Sequence, residues 1–551
     1  MVSLDGSDHL VRHFRQMLLW PLQLMPNEDE GKEERPHWRL LEAADTARRW
    51  SRVEDEFTSD PSQFQERHYK EFVSFLPYVQ RFLYGESRGA RPRANDGPPG
   101  ESALRVYRRH DIAALRVILR AGEQPLVLKL AHIDLYFFDD VDVALLNTEV
   151  MADDLPLSTA LDLMYRFGRA YPTTWDEHGN SVHNVWSAEW LDAEGNVLVT
   201  SDSGNRAKYL EFACQYRAAG TAAHWSYLVE PMVLDAAYDE GLLRYRQIAY
   251  HRMPLMAFIA LDDPRTITDA DWVRLGLIAS VHPDEPMPQN DPDITAFFTR
   301  YSFDRYWSGT NNGPNTRFLC SGRVLSVIGD ARSPYFLDQE RGLLGQFRHQ
   351  YFMLFLIAHF HQAALLVFSD RLVDAIHDLD MHDRNSIRRF RSRVHASFDS
   401  FLRFTHRYWF NVLSEHPHMQ ALHHACVRHL GNAELYAEIK EELRDMSQYL
   451  DSDAQRRQST TVTRLTVVTT FSLIGTVATG FLGMNIIDET SAPIAARLIY
   501  LVVTVVATAV LTLYLVKKSR RLSDLMDKLS DEKLPPSRRA PRGSIGQRGD
   551  E

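Results

Sequence analysis

Two long apolar runs without a charged residue lie near the C-terminus, in a chain whose other parts are of mixed polarity. They cover residues 465–482 (LTVVTTFSLIGTVATGFL) and residues 498–516 (LIYLVVTVVATAVLTLYLV). At about 1.5 Å per residue each forms a helix of roughly 27 Å, enough to cross the hydrocarbon core of a bilayer. The pattern predicts two C-terminal transmembrane helices.

A third apolar run, residues 351–369, carries His359, His361 and Gln362 near its middle. Polar side chains at the centre of a run are costly in lipid. This run is therefore predicted to be a buried helix of a water-exposed domain.

Basic residues flank the two charge-free runs, and the loop between them, residues 483–497, carries Asp488 and Glu489 against a single Arg497. The flanking cations are Arg456, Arg457, Arg464, Lys517, Lys518, Arg520 and Arg521. By the positive-inside rule both termini are cytoplasmic and the loop lies outside. The first apolar stretch of the chain, residues 17–22, is too short for an export signal, which agrees with this orientation. We expect a multi-pass protein of the inner (plasma) membrane.

The pattern of apolar and polar residues changes twice in the sequence before the apolar runs. Residues 126–150 alternate and are rich in strand-forming residues, residues 157–169 have helical spacing, and strand-like pieces recur at 182–191, 255–261 and 318–329. From residue 433 onward helix formers continue without a breaker into the first apolar run, which predicts one helix of about 50 residues. The fold class predicted is an α+β membrane protein: an N-terminal cytoplasmic α/β domain, a long helical stalk and two C-terminal transmembrane helices.

The predicted divisions of the chain follow from these changes of pattern. They are an N-terminal extension and linker (1–101), a cytoplasmic α/β domain (102–340), a cytoplasmic helical region (341–432), a stalk helix (433–464), a first transmembrane helix (465–485), an outer loop (486–497), a second transmembrane helix (498–516) and a basic, disordered cytoplasmic tail (517–551).

Composition narrows the function classes. The formal net charge of −11 argues against a nucleic-acid partner, which needs a basic surface. Three widely spaced cysteines predict neither a disulfide framework nor a zinc site with paired cysteines. No phosphate-binding loop, nucleophile elbow or HExxH motif occurs, so no enzymatic activity and no resident cofactor are predicted.

The tripeptide Gly483-Met484-Asn485 directly follows the first apolar run. With its position before the last of two spans, it resembles the CorA family of divalent metal ion transporters, in which Gly-Met-Asn ends the first of two membrane helices. Leu482 and Ile474 depart from the family pattern, which often has Tyr and sometimes Pro there. The resemblance implies a homo-oligomer, a pentamer in the family, with Gly483, Met484 and Asn485 as the selectivity filter.

One face of the first apolar helix has a composition suited to a pore. Its residues recur at steps of three and four: Leu465, Thr469, Leu473, Thr476, Gly480 and Gly483. Leucine rings can dewet and gate a pore, while threonine hydroxyls can bridge to the water around a cation. The same small and hydroxyl residues also suit packing between helices in lipid. Two helices leave no closed path for an ion, so a pore requires an oligomer.

Asn485 is the strongest site candidate. Mg²⁺ keeps its inner waters and prefers oxygen ligands, so a ring of Asn carbonyl oxygens would hold the hydrated ion. Asn at this position also suits a helix C-cap. Asp488 and Glu489 are candidates for attracting cations to the pore mouth, or are an ordinary solvated turn.

Two further groups are candidate metal sites in the cytoplasmic part. Asp139, Asp140 and Asp142, with Asp134 nearby, are candidates for regulatory cation binding, although an alternating strand and its turn also predict solvent-facing carboxylates. The second group is a histidine-rich run whose spacing matches no standard zinc signature. Its members are His416, His418, His423, His424, Cys426 and His429.

The function predicted is an oligomeric channel or transporter for divalent cations, Mg²⁺ first and Co²⁺ or Ni²⁺ besides, gated by the cytoplasmic domain. Its partners are copies of itself, the lipid bilayer and the metal ion. The alternatives are a zinc transporter of the ZntB type and a membrane-anchored regulatory protein that does not conduct.

Overall fold

The computed structural model describes two compact units, Met1–Met446 and Ser447–Glu551, which we call the N-terminal and C-terminal units. The described residues are 9–25, 36–53, 65–85, 102–237, 241–248, 251–280, 291–311, 313–377, 379, 383–483, 493–495, 498–511 and 514. Within these ranges, only the backbone is described at 291–292, 384, 453–454, 456–461, 463–464, 466–468 and 481–482.

Strands and helices alternate through the N-terminal unit. The described strands are β1 (Leu10–Leu24), β2 (Trp50–Arg52), β3 (Leu104–Arg109), β4 (Ala114–Ile118), β5 (Leu126–Phe138), β6 (Val141–Pro156), β7 (Ser187–Leu191), β8 (Val197–Thr200), β9 (Val233–Leu234), β10 (Arg244–Gln247), β11 (Leu255–Leu261), β12 (Ser302–Phe303), β13 (Arg317–Cys320) and β14 (Val324–Asp330). The described α-helices are α1 (His37–Ala44), α2 (Glu66–Val73), α3 (Pro77–Tyr84), α4 (Leu157–Arg166), α5 (Arg206–Tyr216), α6 (Ala223–Val229), α7 (Asp269–Leu277), α8 (Asp291–Tyr301), α9 (Pro334–Leu337), α10 (Leu343–Gln346), α11 (Phe352–His377), α12 (Arg384–Arg407), α13 (Pro417–Leu430), α14 (Asn432–Gly483) and α15 (Leu498–Leu511). The π-helical turn Phe347–Tyr351 joins α10 to α11.

A single mixed sheet organises the described strands. Its main path runs β12-β13-β14-β11-β1-β6-β5-β4-β7-β8. Most neighbours are antiparallel, while β11 pairs with β14, and β9 with β10, in parallel. This mixed sheet with helices agrees with the predicted α/β character of the N-terminal part.

The centre of the sheet is β1, which pairs with β6 on one side and β11 on the other. The sequence pattern instead predicts an N-terminal extension up to residue 101, which the position of β1 corrects. The pattern hides this strand because Arg12, His13, Arg15 and Gln16 interrupt the apolar positions, and Pro21 argues against a central strand.

Both faces of the sheet are covered, so each long strand feeds two cores. Leu135 and Phe137 of β5 enter a core with α4, α6 and α7, while Tyr136 and Phe138 enter one with α3 and α11. The alternation follows from the two-residue period of a strand. Residues 126–150 therefore form strands, as their alternating pattern predicts, although neither face of the sheet is exposed to solvent.

Most predicted elements of this unit occur, with shifted ends. Residues 126–150 form the β5–β6 hairpin, whose turn holds Asp139 and Asp140, and residues 157–169 contain α4. Within 182–191 only β7 is a strand. Residues 318–329 form two strands, β13 and β14, because Gly322 adopts a positive φ between them and turns the chain.

The helix α11 lies in the interior of the N-terminal unit. With α10 and the π-helical turn it forms Leu343–His377, which is long and apolar enough to cross a membrane by length and composition, but 78% of its most apolar window is buried within the chain. His359 and His361 are both buried. The prediction of a buried helix at 351–369 is confirmed.

The longest described helix is α14, with 52 residues. Gly431, in the left-handed conformation, ends α13, and α14 begins at Asn432, one residue before the start predicted from the sequence. No breaker interrupts the helix from there to Gly483. Its function as a stalk and membrane span stays a prediction.

Candidate functional site

The predicted pore face lies on the exposed side of α14. Leu465, Thr469, Leu473, Thr476 and Gly480 are all solvent-exposed in the single chain, with Leu465 63% and Leu473 55% exposed. A Cβ added at Gly480 or Gly483 would meet no atom within 4 Å. The whole stripe is thus available to a surface that the single chain does not supply.

Two side chains on the opposite side of the same helix are covered, although Phe471 beside them is 69% exposed. Ile474 is 7% and Ala478 2% exposed, and at 100° per residue they lie roughly 160° around the axis from the pore face. On α15, Thr504 and Thr508, one turn apart, are half-buried, while Val503 and Val510 are exposed. Within the C-terminal unit, α14 therefore has one face turned to its own chain and an opposite face left open.

Two threonines of the open face each donate their hydroxyl proton to a backbone carbonyl of α14. The Thr476 hydroxyl donates to the Ser472 carbonyl at 2.9 Å, and the Thr469 hydroxyl donates to the Leu465 carbonyl at 3.0 Å. A hydroxyl that donates its proton to the helix presents lone pairs as acceptors. Water around a cation points its hydrogens outward, so these hydroxyl oxygens match a hydrated cation.

The filter and its loop lie mostly outside the described residues. Gly483 is the last residue of α14, while Met484, Asn485, Asp488 and Glu489 fall outside the described ranges. The predicted tail, residues 517–551, also falls outside them. The filter assignment stays a prediction from the sequence.

The acidic residues predicted as a regulatory site each face a cation of their own chain. Asp140 pairs with Arg407 and Asp142 with Arg371, while the nearest Asp139 carboxylate oxygen lies 3.5 Å from Arg105 Nε. Burial raises the pKa of Asp139. Asp134 forms a bidentate pair with Arg108, at 2.7 and 2.8 Å.

Across the described part of the chain, no three His, Cys, Asp or Glu side chains converge in a way that would hold a metal. The three aspartates therefore form no cation site with the described residues of their own chain.

The histidine-rich run is spread around α13 rather than gathered. His423 is buried, and burial lowers its pKa to about 3, whereas His424 is exposed. The Cys426 thiol donates to the Gly322 carbonyl, and the ring of His429 lies 3.1 Å from the Arg300 carbonyl. These contacts are typical of ordinary core and surface residues and do not bring the histidines together as metal ligands.

The structure shows a buried ionic cluster that the sequence did not predict. Glu149 of β6 is fully buried and pairs with Arg15 of β1, while Arg348 Nε lies 3.5 Å and His132 Nε2 3.2 Å from its carboxylate. Burial alone would raise its pKa, but His132, Arg15 and Arg348 together hold the pKa of Glu149 below its ordinary value. Arg348 reaches the cluster from the π-helical turn. In the sequence, the only signal is the charge at positions 13–16 within an apolar stretch.

The C-terminal region matches a known protein family. Residues 368–518, which contain α12 to α15, match the family model described as CorA-like Mg²⁺ transporter protein. The open and covered faces of α14 lie within that match.

Among solved structures, the chain is similar to "The complete structure of CorA magnesium transporter from Methanocaldococcus jannaschii", with 13% identity, 50% of this chain and 95% of that chain covered, and a TM-score of 0.17. A TM-score this low does not establish a shared fold. No curated protein matches the chain.

The C-terminal region is thus similar to a family of Mg²⁺ transporters. The match of residues 368–518 confirms the resemblance to the CorA family that the sequence indicates.

Proposed function

We propose that copies of this chain form a ring that conducts divalent cations through a path lined by α14. The observation that carries the proposal is a contrast on this helix: Ile474 and Ala478 are covered by their own chain, and the opposite face, with every pore-lining residue predicted on the helix, is open. The CorA-like domain match gives the class of cargo. The ring is a pentamer by family resemblance, and Mg²⁺ is the first candidate ion, with Co²⁺ and Ni²⁺ next.

The path combines two kinds of ring. Leu465 and Leu473 form apolar rings that expel water when narrow, and Thr469 and Thr476 form rings of acceptor oxygens. Asn485 supplies carbonyl oxygens at the outer end, where Asp488 and Glu489 raise the local concentration of cations. The protein spans the inner membrane twice with both termini in the cytoplasm, and a negative interior draws the ion inward by roughly 2.3 kcal/mol per charge per 100 mV.

Gating belongs to the N-terminal unit in this proposal. Asp139, Asp140 and Asp142 lie at the β5–β6 turn, where a neighbouring copy can complete a regulatory cation site. A zinc transporter remains the alternative cargo assignment, since Ile474 stands where some family members have Pro.

Thiol accessibility on the two faces of α14 tests the path. Thr476→Cys and Ala478→Cys are prepared in a Cys214→Ser background, because Cys320 and Cys426 are buried. Each variant is reconstituted in liposomes, and Co²⁺ uptake is measured before and after a membrane-impermeant thiol reagent.

We expect the reagent to reduce uptake through Thr476→Cys about tenfold, because a group added at the open face narrows the path. Uptake through Ala478→Cys should not change, since that position faces its own chain. Equal sensitivity at the two positions, or none at either, would show that the open face does not line the path.

A further inference from the structure

The cytoplasmic stretch of α14 carries a stripe of carboxylates, which we call the acidic face. It consists of Glu434, Glu438, Glu441, Glu442 and Asp445, all exposed. At 100° per residue these positions fall within a sector of roughly 100°. The core contacts Ile439 and Leu443 lie outside that sector. The cations Lys440 and Arg444 also lie outside it, beyond the core contacts around the helix axis.

The helix α12 carries the opposite charge on its exposed side, which we call the basic face. Arg388, Arg389 and Arg403 define it and are exposed, while the helix packs into the core through Phe390, Val394, Phe401 and Phe404 on the other side. Asp399, the single acidic residue of this helix, is exposed within the same sector, so the basic face carries three positive charges and one negative charge.

Neither face is neutralised by the residues of its own chain that the structure describes. Among the described residues, none of the five carboxylates and none of these three arginines forms a hydrogen bond or an ion pair. Like charges three and four residues apart repel one another along a helix. A stripe such as Glu434, Glu438 and Glu442 therefore destabilises the isolated chain, and a cationic partner removes that repulsion.

The acidic face fits within the length of the basic face. The acidic face spans 11 residue steps, about 17 Å, and the basic face 15 steps, about 23 Å, at about 1.5 Å per residue. A ring of more than two copies related by rotation joins one surface of each copy to a different surface of the next. A chain that carries both an acidic and a basic helix face supplies such a pair of surfaces.

We propose that the acidic face of α14 in one copy docks against the basic face of α12 in the next copy of the ring. The inference rests on the ring of the proposed function and assigns the surfaces that set its register. Exposed charge pairs of this kind contribute more to specificity and register than to affinity. The contact should therefore weaken as salt is raised.

Charge reversal with rescue tests the docking. The variants are Glu438→Arg with Glu442→Arg, then Arg388→Glu with Arg389→Glu, then all four together, each in the full chain. Lys440→Glu with Arg444→Glu is the matched control, since it reverses two charges on another side of the same helix. Oligomer mass in detergent is measured by light scattering against protein concentration at about 0.05 and about 0.5 M NaCl.

Each double reversal on a docking face should weaken assembly about tenfold at low salt. The variant with all four substitutions should restore assembly to the wild-type level, and the control pair should leave assembly unchanged. Circular dichroism shows whether every variant is folded, and Co²⁺ uptake is measured in parallel.

A wild-type monomer would overturn both this docking and the ring of the proposed function. An intact ring that conducts and is insensitive to both reversals would overturn the docking alone. So would folded double variants whose combination does not rescue assembly. Loss of binding to anionic phosphatidylglycerol vesicles on Arg388→Glu with Arg389→Glu, with assembly unchanged, would instead assign the basic face to the membrane surface.

Discussion

At the residue scale, Glu149 is the most constrained charge in the N-terminal unit. Its carboxylate is fully buried among Arg15, Arg348 and His132, which come from a neighbouring strand, from the π-helical turn and from β5. Removing one partner of such a cluster leaves the others charged and uncompensated, which costs more than the pair contributes. The cluster thus ties three elements to the centre of the sheet.

Glu149→Gln should therefore lower the free energy of unfolding by about 3 kcal/mol. Asp154→Asn is the control, because Asp154 lies on the same strand and pairs with Arg12 at the surface, with both side chains largely exposed. Urea unfolding followed by tryptophan emission measures the difference. All ten tryptophans lie between positions 20 and 409, so emission reports on the N-terminal unit alone. Equal effects of the two substitutions would contradict the assignment.

At the element scale, α11 shows how an apolar helix can be distinguished from a membrane span. Its central histidines are buried in protein, where burial lowers the pKa of His359 to about 3 and of His361 to about 4. The unfolded chain binds these protons near pH 6.5 and the folded chain does not. Stability is therefore lost as the pH falls below 6.5.

Replacing His359 by Leu should make the free energy of unfolding less dependent on pH. Between pH 6.5 and about 4.5 the slope should fall by about 1.4 kcal/mol per pH unit, the contribution of one proton. The matched control is His424→Leu, which removes an exposed histidine of α13. The comparison uses urea unfolding of the full chain in detergent; an unchanged slope for His359→Leu would mean that the histidine is protonated in the folded state.

Elements with a clean period were predictable, and those shaped by tertiary contacts were not. The β5–β6 hairpin, α4 and the uninterrupted α14 follow from alternation, helical spacing and the absence of breakers. The central strand β1 did not, because its charged positions make sense only beside Glu149 and Asp153 of β6. For the same reason the sequence indicates the buried cluster only through the charge at positions 13–16, since the members of the cluster are spread over more than 300 positions.

The candidate path was predictable in part. The helical spacing of Leu465, Thr469 and Leu473 is enough to put them on one face, and that face is exposed. That Ile474 and Ala478 are covered by the same chain follows only from the packing of the C-terminal unit. A pattern on one helix identifies a face, and only its neighbours show which face is left open.

At the scale of the whole molecule, the single chain is incomplete. The C-terminal unit exposes apolar side chains of both α14 and α15, among them Phe471, Leu498, Val503 and Val510. In water such a surface would drive aggregation; a bilayer and further copies would cover it. The proposed function therefore requires lipid and an oligomer together.

Divalent-cation flux into liposomes carrying the purified full chain, wild type beside Asn485→Ala, tests the central claim most directly. Mg²⁺, Co²⁺, Ni²⁺ and Zn²⁺ are offered in turn. The account predicts flux of at least one of these ions through the wild type, and its loss or loss of selectivity in Asn485→Ala, because the outer ring of carbonyl oxygens is gone. No flux of any of the four through an intact oligomer would contradict transport and leave the non-conducting regulatory protein as the function.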